Sequence, residues 1–294
     1  MKTRVLVLGS TGQLGVELLK LLPPDFDLCA LSRRDVDLTD GAALRAAVER
    51  VQPRFIVNAA AYTAVDRAES EPDLAYAVNA EAPRILAQEA RRIDAWLIHF
   101  STDYVFDGSG NAPWKETDAP RPLSVYGRSK LAGEEAIAAA DCEYLIFRTS
   151  WVYAAHGSNF MRTMLRLAGE RPRLSIVNDQ VGAPTSAGQL ARGVRHVLRR
   201  LRNGAALDSG VYHMTCAGAT SWFGFAQAIF ASYADKIAVP ELTPISTEQY
   251  PTPAARPHNS VLDCGKLEQT MGLRLPRWED ALARVVEEMR EATS

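Results

Sequence analysis

Three glycines at a fixed spacing constrain the fold of this chain more than any other feature. An apolar run at residues 5–8 leads directly into Gly9, Gly12 and Gly15, and an apolar helical stretch follows at residues 16–22. In a βαβ unit, Gly9 would allow the tight turn, Gly12 would let the backbone approach a pyrophosphate, and Gly15 would let the helix pack on the sheet. The positive end of the helix dipole would then face the phosphates. The sequence therefore predicts a nucleotide cofactor.

Strand-like and helical stretches alternate through the first half of the chain, and the composition loosens after Ser150. Alternation of this kind is typical of parallel sheets covered by helices on both faces. We therefore predict an α/β fold, with a Rossmann-type doubly wound parallel sheet and a smaller C-terminal substrate-binding lobe. Residues 1–150 are the predicted dinucleotide-binding domain. Residues 151–294 are mainly the predicted substrate lobe, with some segments returning to the first domain.

Composition and charge exclude several classes of protein. The 294 residues carry a formal net charge of −2 and no long basic tract, which disfavours nucleic acid or an anionic membrane as a partner. The four cysteines are far apart and form no Cys-x-x-Cys pair, so neither a zinc site nor a disulfide framework is expected. The first apolar run is too short for a signal peptide, and no stretch approaches the roughly 20 apolar residues of a membrane span. We expect a cytoplasmic protein.

The residues that follow the second predicted strand, at 26–31, indicate which dinucleotide would bind. An acidic residue here would hold a ribose 2′-hydroxyl, but this chain has Ser32, Arg33 and Arg34. Serine and arginine can hydrogen-bond and neutralise a 2′-phosphate, which favours NADPH over NADH. The alternative is that both arginines are solvated charges of a loop. Asp37 would either face the adenine or cap the next helix.

Polar groups that suit acid–base chemistry occur at two later positions. Ser101, Thr102 and Asp103 leave a predicted strand at its carboxyl end, where the cofactor crevice of such a sheet lies. Tyr126 and Lys130 are four residues apart on a predicted helix, and therefore share one face. A lysine ammonium beside a cationic nicotinamide would lower the phenol pKa from about 10. These residues predict proton transfer to a carbonyl, with Thr102 holding the substrate oxygen.

Seven segments make the sequence similar to a known family. It resembles the extended short-chain dehydrogenase/reductases and, among them, the dTDP-4-dehydrorhamnose reductases. The matching segments are G-S-T-G-Q-L-G, V-N-A-A-A-Y-T-A-V-D-R-A-E, H-F-S-T-D-Y-V-F-D-G, V-Y-G-R-S-K-L-A-G-E, F-R-T-S-W-V-Y, N-D-Q-V-G-A-P-T and P-T-P-A-A-R-P. They spread over residues 9–257, so the resemblance covers nearly the whole chain.

The resemblance implies a role for particular residues. Tyr126 would donate a proton to the C4 oxygen of dTDP-4-dehydro-L-rhamnose, Lys130 would tune Tyr126 and bind the nicotinamide ribose, and Thr102 would assist. The other cofactor-binding residues would be Gly9, Gly12, Gln13, Leu14, Gly15, Ser32, Arg33, Asp37, Leu38, Ala61, Tyr62 and Thr63. The substrate-binding residues would be Thr102, Asp103 and Trp151, with Val65, Asp66 and Arg256 as weaker candidates. Without the resemblance, Trp151 would be interpreted as a core aromatic residue.

The chain departs from its relatives at two positions. Some relatives have an acidic residue where this chain has Ser32, which strengthens the preference for NADPH, although the family often accepts NADH as well. Some relatives also bridge a dimer through magnesium held by three glutamates. Glu17 and Glu288 match two of these, but Gly188 stands at the third position. A hard cation with fewer carboxylates is held less well, so we predict no metal site and leave a homodimer open.

Two other functions are compatible with the same fold. One is an NAD-retaining nucleotide-sugar epimerase or dehydratase, which the pairing of S-T-D-Y-V-F-D-G with N-D-Q-V-G-A-P-T disfavours. The other is a non-catalytic regulatory subunit, which the intact Thr102, Tyr126 and Lys130 disfavour. Residues 111–123 are rich in proline and charge, and they predict a surface loop over the site.

Overall fold

A six-stranded parallel sheet organises residues 2–292, the part of the chain that the computed structural model describes. Residues 1, 293 and 294 of the two predicted domains lie outside this range. The strands are β1 (Arg4–Leu8), β2 (Asp27–Leu31), β3 (Phe55–Asn58), β4 (Trp96–Thr102), β5 (Glu143–Thr149), β6 (Val152–Tyr153), β7 (Arg173–Val177), β8 (Val181–Gly182), β9 (Thr185–Ser186), β10 (Gly210–His213), β11 (Thr220–Ser221) and β12 (Glu241–Ile245).

Helices connect these strands and cover the sheet. They are α1 (Gln13–Leu21), α2 (Gly41–Val51), α3 (Val65–Ala68), α4 (Pro72–Tyr76), α5 (Ala82–Arg92), α6 (Val125–Ala138), α7 (Phe160–Ala168), α8 (Ala187–Arg202), α9 (Trp222–Ala231), α10 (Gly265–Met271) and α11 (Trp278–Glu291). A π-helical turn (Ala77–Glu81) joins α4 to α5, and 3₁₀ turns cover Asp103–Val105 and Thr247–Gln249.

The strand order of the large sheet is β2-β1-β3-β4-β5-β10, and every pair in it is parallel. The chain moves outward in one direction from β1 to β2 and in the other direction from β3 onward. In open α/β sheets, ligands bind at the carboxyl ends of the strands where the order reverses in this way. The predicted Rossmann-type fold is confirmed, and its reversal point lies between β1 and β3.

The central strands are mainly apolar, as expected for a sheet with helices on both faces. On one face, Val5, Val7 and Val57 belong to a core cluster that extends to residues of α1 and α8. On the other face, Leu6 and Ile56 belong to a second cluster with residues of α2 and α5. Alternate residues of one strand therefore stabilise opposite layers, which fixes the register of the sheet.

Residues after 150 contribute both to the sheet and to smaller structures. Strand β10 pairs with β5 at the edge of the large sheet, and α8 packs on α1. The pairs β6–β9, β7–β12 and β8–β11 form three two-stranded sheets. One hydrophobic cluster joins Val57 to Phe225 and Trp278, so a domain boundary at residue 150 stays a prediction. No helix within residues 2–292 combines the length and apolar composition that crossing a bilayer requires.

The turn after β1 brings two backbone segments into contact. Gly9 has φ +81°, a left-handed conformation, and a Cβ atom there would lie 2.8 Å from the Ala60 nitrogen. At Gly15, inside α1, a Cβ atom would overlap the carbonyl oxygen of Gly9. Only glycine permits both contacts, which seat the first turn of α1 against the end of β1.

We expect Gly15→Ala to lower the free energy of unfolding by about 1–3 kcal/mol, because the added methyl group forces the helix away from Gly9. The matched control is Gly188→Ala, also in a helix, where the new Cβ would meet its nearest atom, a Glu17 carboxylate oxygen, at 3.5 Å. That control should not be destabilised. Urea unfolding of the cofactor-free protein measures both, and an unchanged midpoint for Gly15→Ala would contradict the packing argument.

Candidate active site

A cavity of about 540 Å³ opens at the carboxyl ends of the central strands, at the reversal point between β1 and β3. It brings together most of the residues predicted to bind the cofactor. Those that line it are Gly9, Gly12, Gln13, Leu14, Ser32, Arg33, Asp37, Leu38, Ala61, Tyr62, Thr63, Tyr126 and Lys130. Gly15 is not a lining residue, since it packs under the turn. Sequence patterns did not predict Arg67, Leu74 and Leu190, which also line the cavity from α3, α4 and α8.

The start of α1 has the features of a phosphate cradle. Gly12 is the N-cap, and no side chain caps the helix there. The Gly12 N–H donates to the Gly9 carbonyl at 3.0 Å, and the Gln13 side chain accepts a hydrogen bond from the Asn159 amide at 2.8 Å. A helix N-terminus without a side-chain cap, lined by glycine backbone, favours an anion. These residues fit the pyrophosphate of a dinucleotide.

In the loop after β2, Ser32 was expected to hydrogen-bond a 2′-phosphate, but its donors already have a partner within the loop. The Ser32 N–H and hydroxyl both donate to the same Asp35 oxygen, at 2.8 and 2.7 Å. These hydrogen bonds hold the pKa of Asp35 below its usual value, so Asp35 is ionised. Ser32 lines the cavity, but in this arrangement its donors are engaged by a carboxylate. Arg33 also lines the cavity, and its positive charge remains available to a 2′-phosphate.

Asp37 and Asp40 take different roles. Asp40, not Asp37, caps α2 by accepting hydrogen bonds from the Ala42 and Ala43 N–H groups, each at 3.0 Å. Asp37 lines the cavity and accepts from the N–H and hydroxyl of Thr39, which lowers its pKa. Of the two expectations for Asp37, its position favours the adenine end over helix capping.

Asn79 connects the cofactor cavity to helix α6. Its side chain accepts from the Tyr62 N–H at 2.9 Å and donates to the Tyr62 carbonyl at 3.0 Å. The same amide nitrogen lies 3.1 Å from the Ser129 hydroxyl oxygen on α6. The backbone around Asn79 forms a π-helical turn between α4 and α5, a feature common at functional sites.

Helix α6 is held at its first turn by two side chains. Ser124 is the N-cap and accepts from the Gly127 N–H at 3.1 Å, while a Glu69 carboxylate oxygen accepts from the Val125 N–H at 2.8 Å. A negative charge at this position also favours the helix dipole. Tyr126 in the first turn and Lys130 in the second therefore have fixed positions at the cavity wall.

Tyr126 is protonated at neutral pH. Burial raises its pKa to about 12, and a hydrogen bond with Thr102 acts in the opposite direction. The lowering expected from Lys130 beside a cationic nicotinamide applies to the cofactor-bound protein and stays a prediction. A protonated phenol is the form needed to donate a proton during a reduction. The ring of Tyr104 packs edge-on against Tyr126, with centroids 5.6 Å apart.

Lys130 is only 2% exposed and has two polar partners on β4. Its amine nitrogen lies 2.6 Å from the Phe100 carbonyl oxygen and 3.1 Å from Nε2 of His99. Burial lowers the pKa of Lys130 to about 8, while Glu134 one turn further raises it. Glu134 is itself held by Arg148 in a buried ion pair, with the closest N–O distance 2.6 Å. Lys130 is therefore poised between its charged and neutral forms.

None of the predicted substrate residues lines the cavity, and three of them, Asp103, Asp66 and Arg256, lie around Tyr104. Asp66 on α3 pairs with Arg256 at 2.7 Å, which ties α3 to the C-terminal loop. Asp103 is 2% exposed, and its carboxylate lies 3.0 Å from the Thr102 hydroxyl. Tyr104, not predicted as a site residue, lies among them: its pKa is raised by burial and influenced by Asp103, Arg256 and Asp66. Val65 begins α3 beside Asp66.

Trp151 stacks on a second tryptophan. Its ring lies parallel to that of Trp222, with centroids 3.5 Å apart, and its backbone adopts the strained φ of +47°. A Cβ atom at Gly182 would lie 2.6 Å from the Trp151 ring, and the Gln180 side chain accepts from the Trp222 indole N–H at 3.2 Å. Trp151 does not line the cavity, although Val152 does. The motif N-D-Q-V-G-A-P-T thus shapes this aromatic pair.

The loop at residues 111–123 is tied to the C-terminal segment. The Trp114 backbone N–H donates to the Val261 carbonyl at 2.8 Å, and the Trp114 carbonyl accepts from the Asp263 N–H at 2.7 Å. Its ring stacks on Phe106 with centroids 4.6 Å apart. None of residues 111–123, all of which are described, lines the cavity, so a covering role for this loop stays a prediction.

The residues that the resemblance would assign to magnesium do not fit a metal. The Lys20 ammonium binds both carboxylates, at 2.7 Å from Glu17 and 2.6 Å from Glu288. His156 also contacts Glu17 at 2.9 Å, and Gly188 offers no side chain. Within residues 2–292, no group of three His, Cys, Asp or Glu side chains is arranged to hold a metal ion.

Comparisons with known proteins agree with the geometry of the site. The model of the family described as RmlD substrate binding domain matches residues 3–291. The chain is 47% identical to the dTDP-4-dehydrorhamnose reductase of Burkholderia thailandensis, covering 97% of this chain and 99% of that one. It is 44% identical to the Escherichia coli K12 protein of that name, covering 99% of each. The solved structure of the Bacillus anthracis enzyme in complex with NADP has a TM-score of 0.91 and 38% identity, covering 98% of this chain and 100% of that one.

The wild-type protein should lose stability as the pH rises, because buried Asp103 must ionise. We expect Asp103→Asn to remove this loss. Burial raises the pKa of Asp103 from 3.8 to about 6, so the folded state binds its proton more tightly than the unfolded state. That stabilisation is complete below pH 3.8 and is lost as the pH rises through about 6, a loss of about 3 kcal/mol in the free energy of unfolding. Urea unfolding from pH 4 to 7 should show wild type losing stability relative to the variant. A constant difference between the two proteins would contradict this.

Proposed function

The chain belongs to the dTDP-4-dehydrorhamnose reductase family, and we propose that it reduces the C4 keto group of dTDP-4-dehydro-L-rhamnose to dTDP-L-rhamnose with NADPH. The observation that carries the proposal is the half-buried, protonated Tyr126, hydrogen-bonded to Thr102 at the wall of the cavity between β1 and β3. The substrate would be a small-molecule nucleotide sugar, and the reaction would take place in the cytoplasm. Its product would supply rhamnose for surface polysaccharide.

NADPH, when bound, supplies the hydride for the reduction. The turn at Gly12, Gln13 and Leu14 would hold its pyrophosphate, and residues 61–63 would contact its middle. Arg33 would neutralise the 2′-phosphate. The NADP bound to the Bacillus anthracis relative supports this assignment. NADH is proposed as a second, weaker cofactor.

The chain's own residues supply the proton and its placement. The Tyr126 hydroxyl would donate to the C4 oxygen, and Thr102 would hold that oxygen and the phenol together. Lys130, which lines the cavity, would bind the nicotinamide ribose through its amine. Asp103, Tyr104 and the Trp151–Trp222 pair would contact the sugar, and the Asp66–Arg256 pair would lie at its outer edge.

Two alternative functions remain open to direct tests. An NAD-retaining epimerase or dehydratase would keep its cofactor through purification and would show no net oxidation of NADPH. A regulatory subunit would co-purify with a larger enzyme and would not turn over alone. We propose neither a metal nor a nucleic-acid or membrane partner. A homodimer is a proposal whose test is the mass of the purified protein in solution.

We expect Tyr126→Phe to lower kcat by about 10²–10⁴-fold, because the reaction loses its proton donor. The assay follows NADPH oxidation with dTDP-4-dehydro-L-rhamnose made in situ. The matched control is Tyr153→Phe, at a buried tyrosine whose hydroxyl has no hydrogen-bond partner among the described residues. This control should keep wild-type turnover. Equal activity of Tyr126→Phe and wild type would remove Tyr126 from the mechanism.

We expect Asp35→Ala to tighten NADPH binding by about two- to fivefold and to leave NADH binding unchanged, because it frees both Ser32 donors and removes one exposed negative charge. Arg33→Ala should weaken NADPH binding and also spare NADH. Fluorescence titration of the nicotinamide gives both dissociation constants without turnover. If Asp35→Ala changes the two constants by the same factor, the 2′-phosphate does not bind at this loop.

A further inference from the structure

Three buried polar side chains, those of Asn58, His99 and Lys130, form a line that begins in the interior of the sheet. Asn58 ends β3 and His99 lies beside it on β4, with exposures of 1% and 0%. The Asn58 amide nitrogen lies 3.1 Å from Nδ1 of His99, and Nε2 of His99 lies 3.1 Å from the Lys130 amine. Neither Asn58 nor His99 lines the cavity, so neither residue has a place in the proposed binding of cofactor or substrate.

The direction of these hydrogen bonds follows from the Asn58 amide. Its oxygen accepts from the Ala60 N–H at 3.2 Å, which turns its NH₂ group toward His99. An NH₂ group only donates, so Nδ1 of His99 must be the unprotonated, accepting nitrogen. Complete burial holds the pKa of His99 well below its usual value, so the ring is neutral. Its single proton must then be on Nε2, the nitrogen that faces Lys130.

A lysine ammonium has three donors and no acceptor, whereas a neutral amine has a lone pair. Only the neutral amine can accept from Nε2–H while donating to the Phe100 carbonyl at 2.6 Å. We propose that Asn58 fixes the tautomer of His99, and that His99 thereby favours the neutral amine of Lys130 over the ammonium in the cofactor-free protein. His99 and Asn58 are positioning residues in this proposal, whose catalytic importance rests on the function proposed above.

The other charged groups around Lys130 are compatible with this arrangement. Glu134, on the same helix, favours the ammonium, but Arg148 on β5 binds both of its oxygens, with N–O distances of 2.6–3.2 Å. Tyr126, one turn earlier, is a neutral phenol, and Asp103 acts on Tyr126 rather than on the lysine. Burial lowers the pKa of Lys130 to about 8, in the same direction as the donated hydrogen bond from His99.

The three groups should therefore titrate as one unit. When Lys130 gains a proton, His99 must move its own proton to Nδ1, and the Asn58 amide must turn its oxygen toward the ring. The cost of this rearrangement opposes formation of the ammonium and so acts to lower the pKa of Lys130 toward neutrality. Since acid–base groups work best with a pKa near the working pH, Asn58 and His99 would tune the lysine that supports Tyr126.

Nitrogen-15 NMR of the cofactor-free protein with labelled histidine tests the tautomer directly. We expect His99 to show a protonated Nε2 at pH 9.5, where Lys130, with a pKa of about 8, is a neutral amine. His213 is the internal control, because its Nδ1 faces the Trp114 carbonyl at 3.1 Å and must carry the proton. His99→Gln and His213→Gln assign the two signals. A protonated Nδ1 on His99, alone or in an imidazolium, overturns the proposal.

The variant Asn58→Asp reverses the arrangement, because a carboxylate accepts on both sides. His99 should then switch to the Nδ1–H tautomer, and the titration midpoint of Lys130 should move up by about one pH unit or more, a tenfold change in its proton affinity. Carbon-13 signals of labelled lysine, assigned with Lys130→Arg, report this midpoint. An unchanged midpoint in folded Asn58→Asp contradicts the proposal, and if that variant does not fold, the wild-type tautomer decides alone. These readouts need no turnover, so they fail separately from the proposed reaction.

Discussion

The contact between helix α1 and the turn after β1 is the constraint on which the rest of the site depends. Backbone meets backbone there, at Gly9 and Gly15, with no space for a side chain. This contact places the uncapped start of α1 at the point where the strand order reverses. The cavity, its anion-binding end and the strand ends that carry Tyr62 and Thr102 all follow from that placement.

The reacting end of the cavity depends on compensation of buried charge. Glu134 and Arg148 bind each other with side chains only 4% exposed, so neither is an unpaired charge in the core. Lys130 has no such partner, and its polar contacts are a carbonyl oxygen and a histidine nitrogen. Burial in a low-dielectric environment therefore lowers the pKa of Lys130. It also raises the pKa of Tyr126, so the phenol stays protonated. The site favours proton donation to a substrate oxygen.

Local sequence signals predicted the sheet, the glycine turn, most of the cavity wall and the Tyr126–Lys130 pair, because each depends on short spacing within one element. Contacts between distant segments were not predictable in this way. His99 contacts Lys130 only because β4 lies beneath α6. Trp222 stacks on Trp151 although the two residues are far apart in the sequence. The strand β12 was also missed, since Pro244 lacks the N–H typical of a strand interior.

The most direct test of the account is the fate of a deuterium label. NADPH deuterated at C4 of the nicotinamide would be incubated with the protein and dTDP-4-dehydro-L-rhamnose, and the sugar product analysed by NMR. The account predicts deuterium bound to C4 of the sugar, with one NADPH oxidised for each sugar reduced. A product without the label, or a sugar altered without oxidation of NADPH, would contradict reduction at C4 and favour a cofactor-retaining reaction instead.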